Sequence, residues 1–595
     1  MLNRTRLSAR ASLRQSAAIA SIALLTFFAG CASQKTTSYP QPEQPANTPT
    51  SGQSTSQGSP QLEEIVVTST RQSKNSRSKR KGGSKVKAKP KFAQASSEPT
   101  NKHQHAEQPD AQEVPIFRAS SARQIFRDYG VNPTISTSHE QHSTFAMDVD
   151  TVSYQIAKAS LESRRLPEKS SIRVEEFINN FEYNYGPSDD VLSLSAEIVP
   201  SPYRPGFHLL HIGVKAKHVP DEQRLPANIV LIADVSGSMK TYDKINLQKE
   251  ALTTLVSQLG ANDSVAIVTY SQQAHVLLKP TKASNKRAIY NAIQEMTAGG
   301  GTNVEMGLKQ GYQLAQTMAY PGHINRVVLT SDGLANIGYV DPQQILKQIK
   351  HHRKRNIFLT TVGVGESMYN DYLLEQLANN GNGNYLYLAD QADIERVFVD
   401  GLTSQLQVVA KDAKIQLKFN PEKVSLFRQI GYENRGLKTQ DFLDASKDGG
   451  EVGANQQVTA LYEIKLANLN DNVDIANIAL SYKKPQGSKV FSFDKSIPSS
   501  VVRATSDSAS PDTLISMAVA AFAEKLRQSY WSRSYDYRQI QSQLTSLQPH
   551  IRDSRQISEL RDLVYQATQL DSRVDPYSER LPISRIDYDR VPLLR

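Results

Sequence analysis

The sequence predicts an α/β protein whose central domain has a doubly wound, mostly parallel sheet and is inserted in a β-sandwich. Short apolar runs alternate with amphipathic helical segments between residues 225 and 408. Segments with period-two alternation occur on both sides of that stretch. Strands that alternate with helices favour a parallel sheet covered on both faces, whereas period-two alternation favours half-buried antiparallel strands. We also expect small α-helical modules near both ends and a disordered N-terminal linker.

The apolar runs of the central domain predict five strands. These are near 228–233, 263–271, 325–331, 357–364 and 384–389. Helical periodicity predicts six helices between and after them. These helices cover about 244–260, 286–297, 304–319, 342–354, 370–379 and 392–408. Each strand is therefore followed by a helix long enough to return the chain to the same end of the sheet.

Alternating segments on both flanks predict the strands of a single β-sandwich. They are 192–198, 208–214, 414–419, 459–465 and 478–482. Helical periodicity predicts a helix over 122–129, a second helix around Phe177, and a helical tail that begins near Asp512. Residues 145–154 have the pattern of a strand that enters a helix.

The predicted boundaries follow these changes of pattern. They are an export signal 1–31, a linker 32–112, an N-terminal module 113–187, sandwich strands 188–224, the central domain 225–408, sandwich strands 409–500 and a helical domain 501–595.

Three separate stretches place oxygen-bearing side chains at the ends of predicted strands. Asp234, Ser236 and Ser238 form a DxSxS pattern directly after an apolar run. Thr302 follows three glycines, and Asp332 ends a second apolar strand. Ligands of doubly wound sheets lie beyond the carboxyl ends of the strands, so we expect these side chains to meet there. Two carboxylates and three hydroxyls suit a hard divalent cation such as Mg²⁺, with Mn²⁺ or Ca²⁺ as substitutes.

The order and spacing of these residues resemble the von Willebrand factor type A domain, a Rossmann-like fold, over roughly residues 225–400. In that family the five residues form a metal-ion-dependent adhesion site. The resemblance implies that Ser236, Ser238 and Thr302 bind the ion directly, while the Asp residues act partly through water. With only two carboxylates, the ion keeps an open position for a Glu or Asp carboxylate of a protein partner.

The flanking regions also resemble a known family. Residues 148–154 and 173–179 are similar to the N-terminal module that accompanies this type A domain in a family of bacterial lipoproteins. The helical tail is similar to the C-terminal domain of the same family.

The first 31 residues have the pattern of a bacterial export signal. Several Arg residues precede an apolar run from Ala17 to Phe28 that is too short to span a bilayer comfortably. The sequence from Ala29 to Cys31 resembles a lipobox, in which the cysteine becomes the acylated N-terminus, although Phe28 replaces the usual Leu. Cys31 is the single cysteine of the chain, which favours lipidation over disulfide chemistry. Because Ala32 rather than Asp follows, we predict an outer-membrane lipoprotein facing the periplasm or the cell surface.

The formal net charge of +10 comes from the N-terminal part of the chain. Residues 71–91 contain ten Lys or Arg and no acid, and the export signal contains four Arg. The remaining chain carries a charge of about −4, so no folded domain has the basic surface of a nucleic-acid-binding protein. Few large apolar residues occur in 32–112, which we expect to be a disordered tether. Within it, residues 62–68 are similar to a segment of TonB-dependent receptors.

Two alternative functions remain open on the sequence. Asp148 and Asp150 resemble the nucleophile loop of haloacid-dehalogenase-type phosphatases, in which the first Asp attacks phosphorus. The acidic pair Asp189-Asp190 follows too closely for the sheet that such an enzyme needs. The other alternative is a structural envelope organiser with an architectural metal. We expect instead a non-enzymatic, lipid-anchored protein that binds a protein partner through the metal, and neither nucleic acid nor a small-molecule substrate.

Overall fold

The computed structural model describes most of the chain from residue 116 onward. The described residues are 116–118, 125–147, 150–186, 188, 190–335, 344–345, 347, 356–365, 370–467, 473–547 and 554–578. The predictions for the export signal, Cys31, the linker, Asp148, Asp189 and most of helix 342–354 lie outside these residues. Within them, no helix combines the length and the apolar character needed to cross a bilayer.

The central domain contains a six-stranded sheet. Its strands, in spatial order, are Tyr385–Leu388, Ile357–Val364, Ile324–Ser331, Ala227–Asp234, Ser264–Tyr270 and Ala274–Lys282. All neighbouring pairs are parallel except the last, which is antiparallel. The five predicted strands and the mostly parallel sheet are thus confirmed. Strand Ala274–Lys282 was not predicted, because this half-exposed edge strand lacks a continuous apolar run.

Helices cover the sheet on both sides. They are Lys244–Ser257, Lys286–Glu295, Val304–Met318, Asp371–Asn380, Gln391–Glu395 and Leu402–Leu406. Successive residues of a strand point to opposite faces. Ile229 and Leu231 therefore pack with Leu255 on one face, and Val230 and Ile232 pack with helix Val304–Met318 on the other. The doubly wound arrangement is confirmed.

The prediction of a single helix over 392–408 is wrong. A π-helical turn, Arg396–Asp400, and Gly401 separate two short helices. Glycine is a poor helix former, and the chain then leaves the helical conformation at Gln407 to begin strand Val408–Phe419. The periodic apolar residues alone did not reveal this break.

The two flanks form one β-sandwich, as predicted. One sheet contains Gly436–Leu437, His142–Ala146, Val408–Phe419, Ala476–Lys483 and Val490–Ile497, with Gly450–Gly453 also paired to Val408–Phe419. The other contains Ile135–Ser136, Val424–Ile430, Gln457–Leu466, His208–Ala216 and Leu192–Pro200. Residues of both sheets share one core, in which Ile212 and Ile415 are fully buried. The central domain lies between consecutive sandwich strands, so its insertion is confirmed.

Two helices that follow sandwich strand His142–Ala146 share a core with the helices that follow the last sandwich strand. Helices Val152–Glu162 and Val174–Ile178 pack with helices Pro511–Leu526, Tyr537–Leu547 and Ser554–Leu570. The ring centroids of Phe177 and Phe522 are 6.2 Å apart. The two predicted helical modules therefore bury their apolar faces against each other.

The helix predicted over 122–129 is wrong in the part that is described. Ile125–Arg127 is a β-strand that pairs antiparallel with Ile116–Arg118. Phe126 is buried in the core of the central domain. Pairing with another strand and burial of one side chain outweigh a weak helical periodicity here.

Candidate metal centre

Two neighbouring parallel strands bring their carboxylates to one edge of the sheet. Asp234 is the last residue of its strand, and Asp332 directly follows strand Ile324–Ser331. The register pairs Ala233 with Thr330, so the two strands end side by side. Both Asp side chains are fully buried. The edge is the one at which doubly wound sheets bind their ligands.

The loop that carries Thr302 is hydrogen-bonded to the DxSxS turn. The Gly299 N–H donates to Val235 O at 2.7 Å, and the Gly237 N–H donates to Gly300 O at 2.9 Å. A Cβ on Gly237 would lie 3.0 Å from that same carbonyl oxygen, so the close approach favours glycine. Thr302 is 1% exposed and lies two residues after Gly300. The structure thus brings the Thr302 loop and the DxSxS turn to the same edge of the sheet.

Three donors orient the Asp234 carboxylate. Its Oδ1 accepts the Ser236 N–H at 2.9 Å. Its Oδ2 accepts hydroxyl hydrogen bonds from Ser331 at 2.8 Å and from Tyr270 at 3.1 Å. Burial, together with the nearby negative charge of Asp332, raises the pKa of Asp234 to about 6. Two buried acids with too little positive charge between them make a site that a cation would stabilise.

The Asp332 carboxylate has two contacts of its own. Its Oδ2 accepts a hydrogen bond from the Lys244 ammonium at 3.2 Å, and its Oδ1 accepts the Leu334 N–H at 3.2 Å. Both side chains of the Lys244–Asp332 pair are completely buried. The Lys244 ammonium therefore offsets part of the negative charge of the two acids.

The serine hydroxyls complete the oxygen-rich edge. The Oγ atoms of Ser236 and Ser238 are 3.1 Å apart, which indicates that both point into the same space. Ser236 is buried and Ser238 is half-buried, so the site opens toward solvent on the Ser238 side. This donor set of carboxylates and hydroxyls fits the oxygen preference of Mg²⁺. The five predicted residues lie at one edge of the sheet, and their role as metal ligands stays a prediction.

Sequence reasoning did not identify three residues that orient the site. Ser331 and Tyr270 donate to Asp234, and Lys244 donates to Asp332. Ser331 and Tyr270 end their strands, so position alone offered a signal for them. Lys244 begins a helix after a turn, where a lysine is ordinarily exposed. Only the tertiary structure shows that its side chain points inward.

Asp150, from the alternative phosphatase motif, is occupied by structural contacts. Its Oδ1 accepts the Tyr385 N–H at 3.0 Å, and its Oδ2 accepts a hydrogen bond from Arg435 at 3.2 Å. Asp150 is 5% exposed. Both carboxylate oxygens thus join neighbouring elements, which favours a structural role for this residue over acid/base chemistry.

Another acidic group occurs among the described residues. Oxygens of Asp412, Asp448 and Glu451 lie within 4.8 Å of one another. The Lys483 ammonium donates to Asp412 Oδ2 at 2.8 Å. Because an internal lysine already supplies the cation there, we assign this group no metal.

These features define a von Willebrand factor type A domain protein. Residues 228–399 match the family described as von Willebrand factor type A domain, and residues 120–211 match the one described as von Willebrand factor. Residues 404–570 match the family described as Uncharacterized protein YfbK, C-terminal. Uncharacterized protein YfbK of Escherichia coli (strain K12) is 31% identical over 466 residues, which cover 72% of this chain and 80% of that protein. The chain therefore belongs to the YfbK family, and the predicted arrangement of type A domain and flanking modules is confirmed.

More distant relatives share only part of the chain. Human inter-alpha-trypsin inhibitor heavy chain H2 is 26% identical over 167 residues, which cover 27% of this chain and 17% of that protein. Among solved structures, von Willebrand factor type A from Catenulispora acidiphila matches with a TM-score of 0.41 and 15% identity, over 65% of this chain and 91% of that one.

Proposed function

We propose that this protein binds a protein partner through a divalent cation held by Asp234, Ser236, Ser238, Thr302 and Asp332. The observation that carries the proposal is the pair of buried carboxylates at one sheet edge, with the pKa of Asp234 raised to about 6 by burial and by Asp332. A bound Mg²⁺ would offset this repulsion and accept the hydroxyl oxygens.

The partner supplies an acidic side chain in this proposal. The donors of the protein contribute only two negative charges, and the Lys244 ammonium offsets one of them. A divalent ion in this environment retains positive charge, which a Glu or Asp carboxylate neutralises at the half-exposed Ser238 side. The match of residues 228–399 to the von Willebrand factor type A domain family supports this mode of binding.

We further propose that Cys31 carries lipid and anchors the protein to the outer membrane, on the periplasmic or the cell-surface side. The support is the sequence from Ala17 to Ala32. Stable anchoring requires more than one acyl chain, as bacterial lipoproteins have. Replacement of Cys31 by Ala should move the protein from the membrane fraction to the soluble fraction and abolish palmitate incorporation. Palmitate labelling that persists in this variant would refute the anchor.

The metal-dependent function is tested by capture from envelope extract in Mg²⁺ and in EDTA. Wild type and an Asp400→Ala control, which changes an exposed acid of the same domain, should retain the same proteins in Mg²⁺ and lose them in EDTA. Asp234→Ala should retain none of them in either buffer. Capture that is equal in both buffers refutes the proposal. If Asp234→Ala instead lowers thermal stability in Mg²⁺ and leaves capture intact, the metal is architectural.

A further inference from the structure

Lys244 occupies an unusual place for a lysine. It begins helix Lys244–Ser257, yet its side chain is completely buried and its Nζ lies 3.2 Å from Asp332 Oδ2. Buried ammonium groups are rare because they lose their hydration, so they are found where a charge is needed.

The slot for this side chain is closely fitted. Gly365 has a φ of +86°, and a Cβ there would lie 2.7 Å from Lys244 Cγ and 2.8 Å from its Cε. Gly365 follows strand Ile357–Val364, at the same edge of the sheet as Asp332. A glycine with positive φ thus leaves room for the aliphatic part of Lys244, which directs the ammonium toward the acids.

The fixed ammonium changes the charge of the site in every state. With Asp234 and Asp332 ionised, these two acids and Lys244 together carry one net negative charge without a cation and one net positive charge with a divalent cation. A neutral side chain at position 244 would make the same group of residues one unit less positive in either state. The loaded site therefore attracts an anion more strongly because Lys244 is present.

We propose that Lys244 is a positioning residue that lowers the intrinsic affinity of the site for the cation and makes capture of an anionic group part of stable metal binding. This inference rests on the proposed function. The protein then holds its metal weakly when alone and firmly when a carboxylate of the partner joins the ion. The partner segment that fits such a site is acidic.

The first test is calorimetric titration of the purified full chain with MgCl₂ and with MnCl₂. Lys244→Met and Lys244→Gln should each bind the cation roughly tenfold more tightly than wild type, because a repelling charge a few ångströms away is gone. Lys249→Met is the matched control, since Lys249 is on the same helix and its ammonium contacts Gln294 O, away from the acids. Its affinity should equal that of wild type.

The glutamine variant separates charge from hydrogen bonding, because its amide can still donate to Asp332. If Lys244→Gln binds the cation as wild type does, the charge inference is wrong and the lysine acts as a hydrogen-bond donor. If Lys244→Met unfolds in EDTA, its thermal midpoint as a function of Mg²⁺ concentration measures the same affinity by linkage.

The second test uses an immobilised ten-residue poly-glutamate peptide in the presence of Mg²⁺. Retention of Lys244→Met should fall several-fold below wild type although its metal affinity rises. Retention that rises together with metal affinity overturns the inference. If wild type takes up no cation in either titration, the proposed function itself fails. If wild type binds the cation and both Lys244 variants bind it equally well, only the role of Lys244 is refuted.

Discussion

Two buried clusters of charged residues in this molecule differ in the balance of positive and negative groups. Between the sandwich and the C-terminal helices, three arginines alternate with three glutamates, at N–O distances of 2.7–3.1 Å. The members are Arg204, Glu463, Arg428, Glu524, Arg527 and Glu433. At the edge of the type A sheet, the acids Asp234 and Asp332 lie together, and Lys244 forms an ion pair with Asp332. Among the described residues, the first cluster has equal numbers of positive and negative groups, whereas the second has two acids and one paired lysine.

The pKa shifts record this difference. Burial by itself would raise the pKa of Glu524, but Arg527 and Arg428 lower it to about 2. Burial also raises the pKa of Asp234, and the neighbouring Asp332 adds to that rise, which brings it to about 6. Equal burial thus gives opposite pKa shifts, because within the described part of the chain Glu524 contacts two arginines, whereas Asp234 contacts hydroxyl and amide donors. A buried charge cluster that lacks a counter-ion indicates a ligand, whereas a complete one indicates a structural joint.

The largest loss of stability should come from removing one acid of the arginine–glutamate cluster. Glu524→Ala leaves Arg428 and Arg527 buried with one partner fewer each, and we expect a loss of about 3–5 kcal/mol of unfolding free energy. Urea denaturation measures this loss, and metal affinity should not change. Glu250→Ala, which removes an exposed acid, is the control. A loss below about 1 kcal/mol would show that the cluster contributes little net stability.

His211 is a third kind of buried titratable group, because it stays neutral and its hydrogen-bond partners, Tyr185 and Thr513, are uncharged. Burial lowers the pKa of His211 to about 4, and its ring nitrogens contact Tyr185 and Thr513 at 2.9 and 2.8 Å. The unfolded chain binds a proton below pH ~6.5 while the folded chain does not, so stability is lost as pH falls from about 6.5 toward 4. The loss should reach ~3 kcal/mol near pH 4. Urea denaturation at pH 7 and pH 4.5 should show this slope in wild type and a smaller one in His211→Gln.

Substitution at the candidate metal site should change the stability of the metal-free protein far less. In EDTA, Asp234→Asn should change the unfolding free energy by less than ~1 kcal/mol, because the lost charge was repelled by Asp332. At a Mg²⁺ concentration of about 100 Kd, wild type should gain ~2.7 kcal/mol and the variant nothing. Thermal melts with and without Mg²⁺ measure both values. A loss of several kcal/mol in EDTA would contradict the contrast between the two clusters.

The smallest effect concerns the geometry of the proposed metal site. Gly237→Ala places a methyl group 3.0 Å from Gly300 O and should displace the loop that carries Thr302. Metal affinity should fall roughly threefold to tenfold, or about 1 kcal/mol. Gly436→Ala, whose Cβ meets no atom within 4 Å, should leave the titration unchanged. Equal affinities for all three proteins would show that the close approach does not position Thr302.

Much of the fold followed from local patterns. Strand Ile357–Val364 was predicted at its observed bounds, because a fully buried parallel strand is a continuous apolar run. Strand His142–Ala146 was not assigned to the sandwich, since its neighbour Val408–Phe419 lies far along the chain. The strand Ile125–Arg127 was missed for a related reason, because pairing with Ile116–Arg118 outweighed local periodicity there.

The sequence by itself determined the class of the domain, through the order and spacing of its motifs. It also determined which oxygen-bearing residues meet at one edge of the sheet, namely Asp234, Ser236, Ser238, Thr302 and Asp332. Only the tertiary structure decided the electrostatics around them. Lys244 reaches Asp332 across 88 positions of sequence, and Ser331 reaches Asp234 across 97. The direction of a side chain depends on what the rest of the chain packs against it. For that reason, the contacts of Lys244 and Ser331 with the two acids could be identified only from the folded structure.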